Sequence, residues 1–237
     1  MIVRRLLLII ALIPLLVSNS KSGEVTVFAA MGAKELLKKI AGDEIFNFSS
    51  SGRLIKQIEL GAPCDVYISA SKYWIDYGIK KGLIRRETVK PFVRTKLVLI
   101  APKDTKKDNI LSGERIAVGN EFAPVGKYAV ETLKNLKIYK KLKNRLVFSP
   151  TVRQITVWVM TGNVDFGIVY YSDYLLYKDR VRLVKIYPDN LHSPINFYVG
   201  CVKGGNLKEC LEFEGKLLKM SNSTYESLGF EKVENGF

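Results

Sequence analysis

Short apolar runs alternate with amphipathic stretches along most of this chain, and the two periods together predict an α/β fold. Val25-Thr-Val-Phe-Ala-Ala30 reads as a buried first strand, and Leu36, Leu37 and Ile40 then give Ala33 to Ala41 a helical apolar face. Ile45 to Phe48 is a short strand. Ser49-Ser-Ser-Gly52 is a turn, and Leu54 and Ile58 lie on one stripe of the helix after it. Asp65 to Ser69 is the next strand, with Ser71 placed to cap a helix that carries Trp74 and Tyr77. Lys96 to Ala101 is a strand that stops at Pro102, and Arg115 to Gly119 is another. Pro124-Val-Gly126 opens a helix running towards Asn135, and Leu146 to Ser149 is a strand. Thr151 to Thr161 is a helix with Val152, Ile155 and Val159 on one face. Phe166 to Tyr170 is a buried strand, Asn196 to Val202 a late strand, and Leu207 to Lys219 a closing helix.

These elements form two βα groups, before and after about residue 100, with a final strand and helix after about residue 195. The order predicts two lobes, residues 23–98 plus 195–237 and residues 99–194. They are joined by crossing segments near Val98 to Pro102 and near His192 to Asn196. Two lobes with a cleft between them make a hinged ligand trap.

The first residues name a compartment. Arg4 and Arg5 precede an apolar run from Leu6 to Val17, and Ser18-Asn-Ser20 is small and polar. That order is a secretory signal peptide, expected over residues 1–22. The apolar run is about 12 residues, short of the roughly 20 that span a bilayer. The mature protein is therefore expected to be free and periplasmic.

Charge and cysteine content narrow the partners. The formal net charge is +14, which suits nucleic acid, an anionic membrane or a small anion. The basic residues are scattered in short groups, such as Lys137 to Lys143, with no nucleic-acid motif, and export argues against nucleic acid as well. Cys64, Cys201 and Cys210 are an odd number in an oxidising compartment, so at least one thiol stays unpaired. Cys201 and Cys210 are close enough in sequence for a small-loop disulfide, which spacing alone does not establish. The single histidine, His192, offers no metal cluster.

A catalytic set is not apparent. Gly-x-Ser-x-Gly, His-Glu-x-x-His and the glycine-rich phosphate loop are all missing. His192 lies in a loop-like stretch and reads as an ordinary surface histidine. Four loops that end in helix starts carry more information: Ala30-Met-Gly-Ala33, Ser49-Ser-Ser-Gly52, Ala123-Pro-Val-Gly126 and Pro150-Thr-Val-Arg153. Each presents backbone N–H groups where the helix dipole favours an anion. Any one of them is equally a plain helix cap. It is four together, on a secreted two-lobed scaffold, that point to an anion.

Phe48-Ser-Ser-Ser-Gly-Arg-Leu-Ile-Lys-Gln-Ile-Glu-Leu-Gly-Ala-Pro-Cys-Asp-Val-Tyr-Ile-Ser-Ala70 resembles the most diagnostic block of the periplasmic molybdate- and tungstate-binding proteins of ABC importers. Val25 to Ala30, Leu97 to Pro102, Ala117-Val-Gly119, Pro124-Val-Gly126, Val152-Arg153 and Gly167-Ile-Val-Tyr-Tyr-Ser-Asp173 follow in that family's order, over essentially the whole mature chain. The resemblance implies the type II periplasmic-binding-protein fold, with mixed sheets flanked by helices and a ligand cleft between lobes. It implies molybdate or tungstate as ligand, a membrane permease as partner, a monomer, and neither cofactor nor catalysis. It also implies an oxyanion held through its oxygens by neutral donors: Ser51 through hydroxyl and N–H, Val125 and Val152 through N–H, Tyr170 through its phenol, and Gly32 through N–H.

Two positions depart from the family pattern. Gly32 stands where a serine is usual and lacks its hydroxyl; either a neighbouring donor such as Ser50 replaces it or specificity has moved. Val125 stands where alanine is usual, which a backbone donor tolerates. Asp65 and Asp173 are expected to brace their loops. The alternatives are the same scaffold with another small anion such as sulfate, or a secreted enzyme acting on a small anionic substrate.

Overall fold

The computed structural model describes residues 24–233, so the expected leader lies outside the described residues. The chain opens with β1 (Thr26–Ala30), α1 (Lys34–Leu37), β2 (Ile45–Ser49), α2 (Ser51–Glu59), β3 (Val66–Ser69) and α3 (Lys72–Lys80). It continues through β4 (Lys90–Arg94), β5 (Leu97–Pro102), β6 (Ile116–Gly119), α4 (Pro124–Asn135), α5 (Tyr139–Leu142), β7 (Leu146–Ser149) and α6 (Val152–Met160). The last elements are β8 (Phe166–Tyr170), α7 (Tyr171–Leu176), β9 (Val181–Ile186), β10 (Asn196–Cys201), α8 (Leu207–Leu218), α9 (Asn222–Ser227) and β11 (Glu231–Lys232).

Two mixed sheets result, ordered β11-β4-β10-β3-β1-β2 and β7-β6-β8-β5-β9. Apart from β11 the two follow one plan. Parallel strands fill one side, β2-β1-β3 in the first sheet and β7-β6-β8 in the second, and an antiparallel strand, β10 or β5, is laid against the third of them. The chain passes between sheets at Thr95–Lys96 and again between β9 and β10. The two passages touch, with Thr95 N–H donating to the Ile195 carbonyl at 3.2 Å.

Burial explains the central strands. Every residue of β3 and of β8 is buried, as expected for strands covered on both faces. Leu54, Ile55 and Ile58 of α2 and Ile155 and Val159 of α6 supply the apolar helical stripes that cover them; each such side chain contributes roughly 1.5–3 kcal/mol on burial.

Some elements differ from the pattern-based expectation. The first helix is a 3₁₀ turn over Met31–Ala33 followed by α1, which ends at Leu37 rather than Ala41. Lys39 and Ile40 bond three residues back, to Leu36 and Leu37, so the last turn tightens while its apolar face still packs. Ser71 is the N-cap residue of α3, but its hydroxyl makes no capping bond. The strands β4, β9 and β11 and the helices α5, α7 and α9 add to the predicted set.

Cys201 and Cys210 are joined, tying the end of β10 to the first turn of α8. Cys64 is buried and free, and burial pushes its thiol up to about 12, so it is not a nucleophile at neutral pH. Reducing the bond, or replacing both of its cysteines with serine, is expected to remove about 2–3 kcal/mol of stability by the loop-entropy relation. Denaturant unfolding with and without reductant measures this; Cys64→Ser should leave the difference intact.

Candidate anion site

Three long helices begin at one point. The first residues of α2, α4 and α6 line a common cavity, together with the β1–α1 turn and the end of β8. The free room at its centre is about 20 Å³, little above the ~10–15 Å³ that one water centre needs. Gly32, Ser51, Val125, Val152 and Tyr170 all line it, along with Ser50.

Each helix start leaves a backbone N–H without an intrahelical acceptor at a residue that lines this cavity, for its own local reason. In α2 the Gly52 N–H donates to the Phe122 carbonyl at 3.0 Å, while the Ser51 N–H has no acceptor within its helix. In α4 the first residue is Pro124, which has no N–H, so Val125 carries the first one. The Gly126 N–H turns back to the Ala123 carbonyl at 2.8 Å. In α6 the Thr151 hydroxyl accepts from Gln154 N–H, leaving the Val152 N–H without an intrahelical acceptor.

The hydroxyls are arranged as donors too. Ser51 Oγ accepts the Ala70 N–H at 3.1 Å, which occupies one of its two lone pairs and leaves its own proton to give. The Tyr170 hydroxyl is fully buried with no hydrogen-bond partner among the described residues. Burial holds that phenol well above its usual range, so it stays protonated. Ser50 Oγ is likewise buried and unpartnered. Apart from Tyr170, no lining residue carries an ionisable side chain.

Contacts across the cleft hold the two halves of the site together. Besides Gly52 to Phe122, Tyr128 donates its phenol to the Ala70 carbonyl at 3.1 Å, and Trp74 stacks on Phe122 with ring centroids 6.2 Å apart. A Cβ at Gly52 would lie 2.6 Å from Trp74 and 2.9 Å from the Phe122 backbone, so only glycine admits this approach.

The two aspartates serve as braces. Asp65 accepts from the N–H groups of Thr26 and Asn206, both at 2.8 Å. Asp173 lies behind the site and accepts from Arg153 Nε at 3.0 Å. Arg153 also reaches across to Glu35 at 3.4 Å. Complete burial pushes the Asp173 carboxyl up to about 6, against the pull of Arg153. His192 is a correction: it is buried rather than exposed. Its Nδ1 lies 2.9 Å from the Ser193 carbonyl, and its ring meets Tyr128 edge-on at 6.1 Å. It does not line the cavity.

Pattern reasoning did not find the Arg153 network or the burial of His192. Asp173, three residues after the strand end at Tyr170, and Arg153, beside a helix start, were the available signals. Pairing between them is a tertiary fact.

Residues 25–213 match the family described as bacterial extracellular solute-binding protein. The molybdate-binding protein ModA of Haemophilus influenzae is 34% identical over 216 residues, covering 83% of this chain and 85% of that protein. ModA of Escherichia coli is 34% identical over 204 residues, covering 78% of this chain and 79% of that protein. Among solved structures, the periplasmic molybdate-binding protein of Azotobacter vinelandii superposes with a TM-score of 0.79 at 23% identity, covering 89% of this chain and 100% of that one. At that identity the superposition speaks for the fold.

The folded value of Asp173 lies above its ordinary value of 3.8. As the pH falls, the folded protein therefore takes up this proton before the unfolded chain does. The burden of the buried charge is full above about pH 6 and lifted below about pH 4. Arg153→Ala leaves that carboxylate unpaired and is expected to cost about 3 kcal/mol at pH 7.5. The loss should shrink towards pH 5 as Asp173 takes up a proton. Denaturant melts of both proteins at the two pH values measure it.

Proposed function

Because the chain belongs to the bacterial extracellular solute-binding proteins, we propose that it captures molybdate or tungstate outside the cytoplasm and delivers it to the membrane permease of an ABC importer. The observation that carries this reading is a buried cavity lined by helix-start N–H groups and hydroxyls, with no carboxylate among its lining residues. Gly32, Ser51, Val125, Val152 and Tyr170 are the proposed ligand contacts. In this reading the protein acts as a free periplasmic monomer after loss of its leader, and it binds without turnover.

A fully deprotonated tetrahedral dianion only accepts hydrogen bonds, so a set of donors satisfies all of its oxygens. Monohydrogen phosphate brings a proton that needs an acceptor, and leaving it unpaired in a buried site is penalised. Neither braced aspartate lines the cavity to accept it. Sulfate presents the same acceptors in a smaller body, so size separates it. Molybdate and tungstate are nearly equal in size and charge and share the site.

Calorimetric titration with molybdate, tungstate, sulfate and phosphate tests the reading. One-to-one binding of the first two, with much weaker heat from the others, is the expected result. Absence of binding for both metal oxyanions at submillimolar concentration would sink it. Ser51→Ala and Tyr170→Phe should each weaken molybdate roughly ten- to a hundredfold, the value of one hydrogen bond to a charged group. Unchanged affinity in both variants would reassign the donors.

A further inference from the structure

We infer that Ser50 is a ligand donor in this protein, supplying the hydroxyl that residue 32 does not. The inference rests on the oxyanion-capture reading above and names which side chain completes that site.

Ser50 is the N-cap residue of α2, the position where serine ordinarily turns its oxygen onto the N–H of the second or third helical residue. Here it makes no such bond. The Leu54 N–H is taken by the Ser50 carbonyl at 3.1 Å, and Gly52 N–H goes across the cleft to Phe122. The Ser50 hydroxyl is instead buried, 4% exposed as a residue, and unpartnered among the described residues. It lies at the wall of the cavity that Tyr170 also lines. A buried hydroxyl without a partner is destabilising, and at the wall of a cavity a bound anion is one group that can satisfy it.

A side chain at residue 32 would be tightly packed. A Cβ at Gly32 would lie 3.1 Å from Tyr170 Cδ2, 3.2 Å from Phe197 Cζ and 3.3 Å from Tyr170 Cε2. Those two rings are themselves packed edge to face, with centroids 5.8 Å apart, and both residues are buried, Tyr170 at 1% and Phe197 at 0% exposure. A side chain at position 32 must therefore push the ring that carries the Tyr170 donor. In this chain a serine at 32 has to shift those rings by a few tenths of an ångström, whereas the Ser50 hydroxyl is already in place at the cavity wall.

Sodium molybdate titrated into the wild type, Ser50→Ala and Gly32→Ser, with thermal unfolding of each unloaded protein, tests this. For Ser50→Ala the expected result is a roughly ten- to hundredfold weaker Kd, with the unloaded unfolding midpoint unchanged or raised. An ordinary helix cap would behave oppositely, with a lowered midpoint and an unchanged Kd, and that outcome overturns the inference. A weakened Kd accompanied by a lowered midpoint also overturns it, because structural loss then accounts for both. Gly32→Ser should bind more weakly than the wild type; tighter binding would show that position 32 accepts the hydroxyl and that Ser50 is not its substitute. If the wild type binds molybdate and Ser50→Ala binds equally well, the Ser50 assignment fails while the capture reading stands. If the wild type does not bind, both fail.

Discussion

The first turn of an α-helix has N–H groups with no intrahelical acceptor, and a buried helix start must find partners for them. In this protein three long helices, α2, α4 and α6, bring that problem to one small cavity. Local devices dispose of some donors: Phe122 takes one, the Ala123 carbonyl another, Thr151 a third. Ser51, Val125 and Val152, each at such a helix start, line the cavity together. Much else in the molecule follows from holding those three helix starts in register. The parallel strands β2, β6 and β7, each ending just before one of these helices, set where each helix begins.

Neither sheet makes the site alone. Gly32, Ser50 and Ser51 stand on elements of the first, and Val125, Val152 and Tyr170 on elements of the second. The contacts that bridge them are mostly neutral: an N–H to a carbonyl at Gly52, a phenol to a carbonyl at Tyr128, and the ring stack of Trp74 on Phe122. One is ionic. Arg153 follows Val152 and bridges Glu35 and buried Asp173, so the same helical turn carries a cavity-lining residue and a charged tie across the cleft. Burial opposes the Asp173 charge while Arg153 favours it, which leaves the tie dependent on an intact pair.

The parts of this arrangement that were legible in the chain are those with strong local signals. The apolar runs at β1, β5 and β8, the serine loop before α2, and Pro124 at the start of α4 carry their structure in a few adjacent residues. The strand β4 was not legible: Pro91 breaks the pattern, Lys90 and Arg94 flank it, and its partners β10 and β11 lie over 100 residues away. The edge strand β9, Val-Arg-Leu-Val-Lys-Ile over Val181–Ile186, has its alternation of apolar and basic residues broken at Leu183-Val184, where its pairing with β5 shifts register. Site residues divide the same way. Backbone donors at Val125 and Val152 follow from helix-start chemistry, but whether a hydroxyl caps its own helix or faces a cavity is decided by neighbours. Ser51 accepts from Ala70, and the Ser50 hydroxyl makes no cap bond, with the Gly52 N–H given to Phe122 across the cleft.

The net charge of +14 and the neutral lining of the cavity look contradictory for an anion site, and the physics separates their roles. Scattered surface cations raise the local concentration of any anion and speed its arrival, an effect that salt screens and that does not distinguish one dianion from another. Discrimination needs groups that differ in their response to proton content and size, and fixed neutral donors provide that. An arginine in the cavity would hold phosphate and sulfate as readily as a metal oxyanion, since its charge is satisfied by any of them. Directing Arg153 away to Glu35 and Asp173 keeps its charge out of the binding space. Selection is then left to how many acceptor oxygens, at what spacing, meet the donors on the wall.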